Sequence, residues 1–160
     1  MNSSSISSPI STPPSDPSPP DWLAGVPPLP IGTELGPLQL AWLGDAVWEL
    51  HQRLRRCRAP GRSADLHRSV VAAVRADAQA AALAVLVRDG LLSDEELELV
   101  RKGRNRAGRG PRKGEAGTYG RATGFETMVG WLFLQNPSRL AQLLAHLENA
   151  DPITPLPVDP

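Results

Sequence analysis

Proline fixes φ and lacks the backbone N–H that helices and sheets use, and in this 160-residue chain the prolines crowd the two ends. Ten of the 17 fall within the first 37 residues and four within the last nine, so regular structure must lie between them. Residues 1–36 are Ser/Pro-rich and hold no Lys or Arg. Such a stretch cannot bury enough apolar surface to offset the entropy of ordering it. The sequence therefore predicts a disordered tail over 1–36, one compact domain over 37–151, and a second proline-rich tail over 152–160.

The formal net charge of zero hides an asymmetry. All 17 Lys and Arg lie in the central stretch, while Asp16, Asp21, Glu34 and Asp159 lie in the tails. That leaves the core with a surplus of four positive charges, compatible with an anionic partner but no proof of one. No apolar run approaches the ~18 residues of a membrane span, and the N-terminus lacks the basic-then-apolar pattern of a secretory signal. A soluble, cytoplasmic protein with no membrane partner is the expectation. Cys57 has no second cysteine for a disulfide or a structural zinc and reads as a semi-buried thiol near a helix end.

Within the core the apolar residues recur every three or four positions, and no segment alternates with the period of two that a strand requires. Pro37 suits the first turn of a helix running to about Arg58, and Ala59-Pro60-Gly61 breaks it. Ser63 to Asp65 offer caps for a second helix reaching Val74. The Ala-rich run Ala76 to Arg88 stops at Asp89-Gly90. Ser93-Asp94-Glu95-Glu96 is a capping box that opens a fourth helix, running through Leu97 and Val100 towards Asn105. Residues 107–120 hold five glycines and a proline and read as an exposed, mobile loop. Helical spacing returns over Thr123 to Gln135, and Ser138 is the expected cap of a last helix from Arg139 to Asn149. The reading is all-α, with about six or seven helices.

Two acids stand out because each sits among apolar neighbours. Asp45 lies in Leu43-Gly44-Asp45-Ala46-Val47 and Glu126 in Gly124-Phe125-Glu126-Thr127-Met128. An unpartnered buried carboxylate costs several kcal/mol, so either these acids face solvent or something cationic meets them. Two semi-buried carboxylates on separate helices can hold a hard divalent cation whose shell is completed by water. Between them in the chain, Arg101, Lys102, Arg104, Arg106, Arg109, Arg112, Lys113 and Arg121 face a single acid, Glu115. That density suits contact with a polyphosphate and makes binding salt-sensitive.

These residues carry a resemblance. Leu40 to Glu49, with its Leu-Gly-Asp-Ala-Val core, resembles the first signature helix of the ribonuclease III catalytic domain, and Ala122 to Leu134 resembles the second. The likeness is closest to the small branch called Mini-ribonuclease III, whose intermediate landmarks appear in order as Asp65-Leu66-His67, Ala78-Gln79-Ala80, Arg101-Lys102-Gly103-Arg104-Asn105 and Tyr119. Ala41 and Leu38 stand where the full-length enzymes carry further acids, and Thr123 stands where they carry an Asp, as in the Mini branch. Fewer carboxylates would then hold the metal. Gly120, between Tyr119 and Arg121, departs from the branch's tighter spacing.

The resemblance implies a homodimeric, ribonuclease III-like endonuclease domain that hydrolyses double-stranded RNA, with maturation of large-subunit (23S) ribosomal RNA precursors as its expected task. Asp45 and Glu126 would be the catalytic residues and the ligands of Mg²⁺. The eight basic residues from Arg101 to Arg121 would bind RNA phosphates. A separate double-stranded-RNA-binding domain has no room between the tails, so substrate choice would rest on the catalytic domain and a ribosomal-protein helper. Trp42 or Trp48 is a candidate for the dimer interface or for ordinary core. Glu49 is read as an ion pair with Arg53 in preference to an outer-shell metal role, His67 as structural, and Arg53, Arg55, Arg56, Arg58 and Arg62 as a possible extension of the RNA track. The alternatives are a non-catalytic RNA-binding or ribosome-associated module of the same fold, and an all-α metal-dependent nucleotide hydrolase.

Overall fold

The computed structural model describes residues 34–58, 60–108 and 115–151. The expected tails lie almost wholly outside the described residues, as do positions 109–114 of the expected loop. Among the described residues there are six helices and no strand: α1 (Pro37–Cys57), α2 (Ser63–Ala73), α3 (Ala76–Arg88), α4 (Asp94–Arg106), α5 (Ala116–Gln135) and α6 (Pro137–Ala150). None is by itself long and apolar enough to cross a membrane.

Helix α5 is the axis of the fold. It buries residues on nearly every side, from Gly120 and Ala122 through Phe125, Met128 and Val129 to Leu132, as a helix apolar all round must. It packs most extensively on α1, then on α4 and α3. The α1 contact is backbone against backbone. A Cβ on Gly44 would sit 1.9 Å from the Glu126 carbonyl oxygen, and one on Gly130 would sit 2.1 Å from that of Leu40. Only glycine permits so close an approach, and it brings the Asp45 turn of α1 against the Glu126 turn of α5.

Helix α4 approaches α5 in the same way, a Cβ on Gly124 falling 2.6 Å from the Val100 carbonyl oxygen. This seam explains why α5 starts at Ala116, about two turns before the expected Thr123. Gly120 is buried against the side chain of Arg104, so packing overrides the low helix propensity of the glycines. The expected loop is correspondingly shorter.

Other boundaries follow their signals. Ser93 caps α4 by accepting from the Glu96 N–H at 3.2 Å, and Glu96 Oε2 accepts from the Ser93 N–H at 2.8 Å. Gly90, with φ 65°, ends α3. Two expected caps are corrected. Asn136, not Ser138, caps α6 by accepting from the Arg139 N–H at 3.1 Å, which leaves Pro137 in the first turn. Arg62 occupies the cap position of α2 without a side-chain bond. In α4, Leu97 is 40% exposed and Leu99 is buried. Cys57 is exposed rather than semi-buried.

The two tryptophans of α1 part company. Trp48 is buried, stands edge-on to Phe125 with ring centroids 5.0 Å apart, and donates its indole N–H to the Ala73 carbonyl at 3.1 Å. Trp42 is 82% exposed.

Candidate metal centre and RNA face

Asp45 and Glu126 meet where α1 crosses α5. Asp45 is exposed at the surface, which corrects the expectation that both acids are semi-buried, while Glu126 is partly covered. The carboxyl of Asp45 is raised above its ordinary range, first by partial desolvation, while a hydrogen bond from Gln79 opposes the shift and the charge of Glu49 adds to it. Glu126 is pushed up to about 7, chiefly by burial and then by the negative charge of Asp45, again opposed by a hydrogen bond from Gln79. The Asp45 charge therefore raises the cost of ionising Glu126. Among the described residues no Lys, Arg or His forms an ion pair with either.

The donor set fits a hard divalent cation. Two carboxylates of like charge, one exposed and one sheltered, lack the positive charge that would let both ionise at neutral pH. Among the described residues no cluster of three or more His, Cys, Asp or Glu side chains suits a metal, so the candidate site there is this pair of acids. Mg²⁺ is commonly bound through one or two carboxylates, with waters and substrate phosphates filling its octahedron.

Neighbouring candidates have other duties. Glu49 accepts from Arg53 Nε at 3.1 Å one turn along α1, as expected. Thr123 is buried and donates its hydroxyl to the Tyr119 carbonyl at 3.1 Å. Thr127 Oγ1 lies 2.8 Å from the Thr123 carbonyl and 3.0 Å from that of Pro37, fastening the start of α1 to α5. His67 is exposed.

The basic residues do not form one uniform patch. Arg101 is held by Glu98 through two bonds of 2.8 Å. Lys102 borders a cleft of about 420 Å³ that Leu40, Leu99, Trp131 and Leu134 also line. Arg104 lies along Gly120, Arg106 is exposed at the end of α4, and Arg121 reaches Thr118 Oγ1 at 3.2 Å. Arg109, Arg112 and Lys113 lie outside the described residues. In the second basic cluster, Arg55 and Arg56 are buried, which removes them from any surface track. Arg55 donates to the Asp151 carbonyl at 2.6 Å, and Arg56 to Gln52 Oε1 and Ser69 Oγ, each at 2.6 Å. They tie α6 and α2 to the end of α1.

Comparison with known proteins decides the family. Residues 38–137 match the ribonuclease III domain. A Mini-ribonuclease 3 from a Synechococcus species is 51% identical over 114 residues, covering 71% of this chain and 81% of that protein. The chain belongs to the Mini-ribonuclease III family. The Mini-ribonuclease 3 of a Synechocystis species is 44% identical over 122 residues, covering 76% of this chain and 84% of the relative. A crystal structure of a Fusobacterium nucleatum protein, 24% identical, superposes with a TM-score of 0.65 over 74% of this chain and 95% of that one, which supports the fold. As a member of this family the chain is an endoribonuclease of the ribonuclease III type. Gln79 entered the sequence reading only within the Ala78-Gln79-Ala80 landmark, with no role attached, yet it is buried beside the acids and donates to Asp45.

Proposed function

We propose that this chain is a Mg²⁺-dependent endoribonuclease of double-stranded RNA that matures large-subunit ribosomal RNA precursors as a cytoplasmic homodimer, with a ribosomal protein as helper. The observation that carries the catalytic part is the meeting of Asp45 and Glu126 without a cationic partner, with Glu126 pushed up to about 7. Asp45 and Glu126 would hold a divalent ion, which would supply Lewis acidity toward the scissile phosphate and its attacking water.

The chain's own residues do the rest. Asp45, at the surface, meets the incoming phosphate first, and Glu126 anchors the inner side of the site. The exposed Arg104 and Arg106, together with Arg109, Arg112, Lys113 and Arg121, contribute phosphate contacts suited to A-form RNA, which is recognised through shape, 2′-hydroxyls and phosphates. Cutting both strands of a duplex calls for two sites related by a two-fold axis. Leu38 and Trp42, one turn apart on α1 and 53% and 82% exposed, offer the apolar surface for that pairing.

The test is incubation of purified protein with a precursor ribosomal RNA duplex, with and without Mg²⁺, followed by mapping of the ends. Discrete cuts on both strands that need Mg²⁺ and vanish in Asp45→Asn are expected. Tight RNA binding with no cleavage at any Mg²⁺ concentration would favour a non-catalytic module instead.

A further inference from the structure

Helix α3 turns Gln79, Ala80, Leu83 and Leu86 inward, so its buried face carries one long polar side chain among small and apolar ones. Gln79 is 1% exposed. A buried carboxamide costs free energy unless its polar atoms are bonded, and the partners of this one are the two acids. Its Nε2 donates to Asp45 Oδ1 at 3.4 Å, and its side chain stands near enough to Glu126 to oppose the rise of that carboxyl. An amide nitrogen has two N–H groups, enough to serve both carboxylates. The opposite orientation of the amide would set its carbonyl oxygen against two anions, so the surroundings fix which atom faces the site.

The chemistry of the amide explains why it, and no other group, suits this position. A Lys or Arg at 79 would neutralise the acids and take the place of the ion. An aliphatic side chain would leave both carboxylates without a donor and free to turn towards water. An amide orients the carboxylates while leaving their charge in place.

We propose that Gln79 is a positioning residue for the acid pair: from a third helix, its amide holds the Asp45 and Glu126 carboxylates turned towards one shared divalent ion without supplying charge of its own. The inference rests on the reading of the pair as a metal site. Gln79 touches neither the ion nor RNA, and it acts only through the carboxylates. Losing an outer-shell partner of this sort typically costs about 10- to 100-fold in metal affinity.

The test is Mn²⁺ binding to the full chain, followed by electron paramagnetic resonance, together with metal-free thermal melts and the Mg²⁺ dependence of duplex cleavage. Gln79→Met keeps the length and bulk of the side chain and removes its donors. Gln79→Asn keeps the amide but shortens its reach. In both variants the Mn²⁺ dissociation constant should rise roughly 10- to 100-fold, and the Mg²⁺ concentration for half-maximal cleavage should rise with it. Saturating Mg²⁺ should restore most of the cleavage rate, and the metal-free melt of Gln79→Met should hold. A purely structural glutamine would show the reverse, a lowered melting temperature with Mn²⁺ affinity unchanged, and that result overturns the inference. Asp45→Asn separates the two layers of the argument. If Asp45→Asn abolishes Mn²⁺ binding while Gln79→Met binds as the wild type does, the Gln79 role alone fails. If Asp45→Asn leaves Mn²⁺ binding intact, the metal reading fails and takes the Gln79 role with it.

Discussion

Glu96 and Glu126 are glutamates of the same domain, each drawn into helical packing, and they are treated in opposite ways. Glu96 is buried, and it accepts from Arg139 Nε at 2.7 Å, from Arg139 Nη2 at 3.0 Å and from the Ser93 N–H at 2.8 Å. The Arg139 hydrogen bonds lead in holding its carboxyl below the ordinary range. Glu126 is given a second acid and a neutral amide instead, and its carboxyl goes up. The fold can therefore satisfy a buried carboxylate, and at Glu126 it withholds the cation. That contrast marks the α1–α5 crossing as a place where charge is kept for something from outside.

Substitutions on either side should separate the two glutamates. The largest effect is expected at Gly44, where a Cβ would collide with the Glu126 backbone: Gly44→Ala should destabilise the fold by about 3 kcal/mol or more in urea unfolding, because α1 must leave α5. Next comes the satisfied acid. Arg139→Met strands the Glu96 carboxylate and should cost roughly 2–4 kcal/mol in the same measurement, with Mn²⁺ affinity unchanged.

The third prediction concerns pH in the presence of a chelator. The ordinary value for Glu126 is 4.5, and in the folded chain it is about 7. Between those values the folded chain keeps a proton that the unfolded chain has released, so the contribution to stability is full below 4.5 and is lost as pH rises through 7. Glu126→Gln should remove that loss and stabilise the metal-free protein at pH 8 by roughly 1–3 kcal/mol. Glu96 has the opposite sign, contributing above its ordinary value and losing its contribution as pH falls, so Glu96→Gln should destabilise at pH 8. The smallest effect belongs to the exposed pair of Glu49 and Arg53: Arg53→Ala should change stability by less than about 0.5 kcal/mol.

Much of this was written in the residues. Apolar spacing located all six helices, and the Ser93 capping box and the Asp89-Gly90 stop fell where they were expected. Asp45 and Glu126 were visible because acids among apolar neighbours are costly. The start of α5 was not visible, since Gly117 and Gly120 speak against a helix until α4 is packed on Gly120. Periodicity alone could not say which of Trp42 and Trp48 faces inward, because both lie on a helix whose partners come from distant parts of the chain. Arg55 and Arg56 look like surface charge in the sequence, and only the returning ends of α6 and α2 bury them. Gln79 was legible only as part of the Ala78-Gln79-Ala80 landmark, with no role attached, because the acids it faces lie 34 and 47 positions away in the chain.

The most direct test of the central claim is anomalous diffraction from crystals grown with Mn²⁺. The account predicts a peak between the Asp45 and Glu126 carboxylates, within coordinating distance of both, with the Gln79 amide still donating to the pair. Density for Mn²⁺ elsewhere with this crossing empty, or the two carboxylates turned apart in a fully loaded crystal, would contradict it.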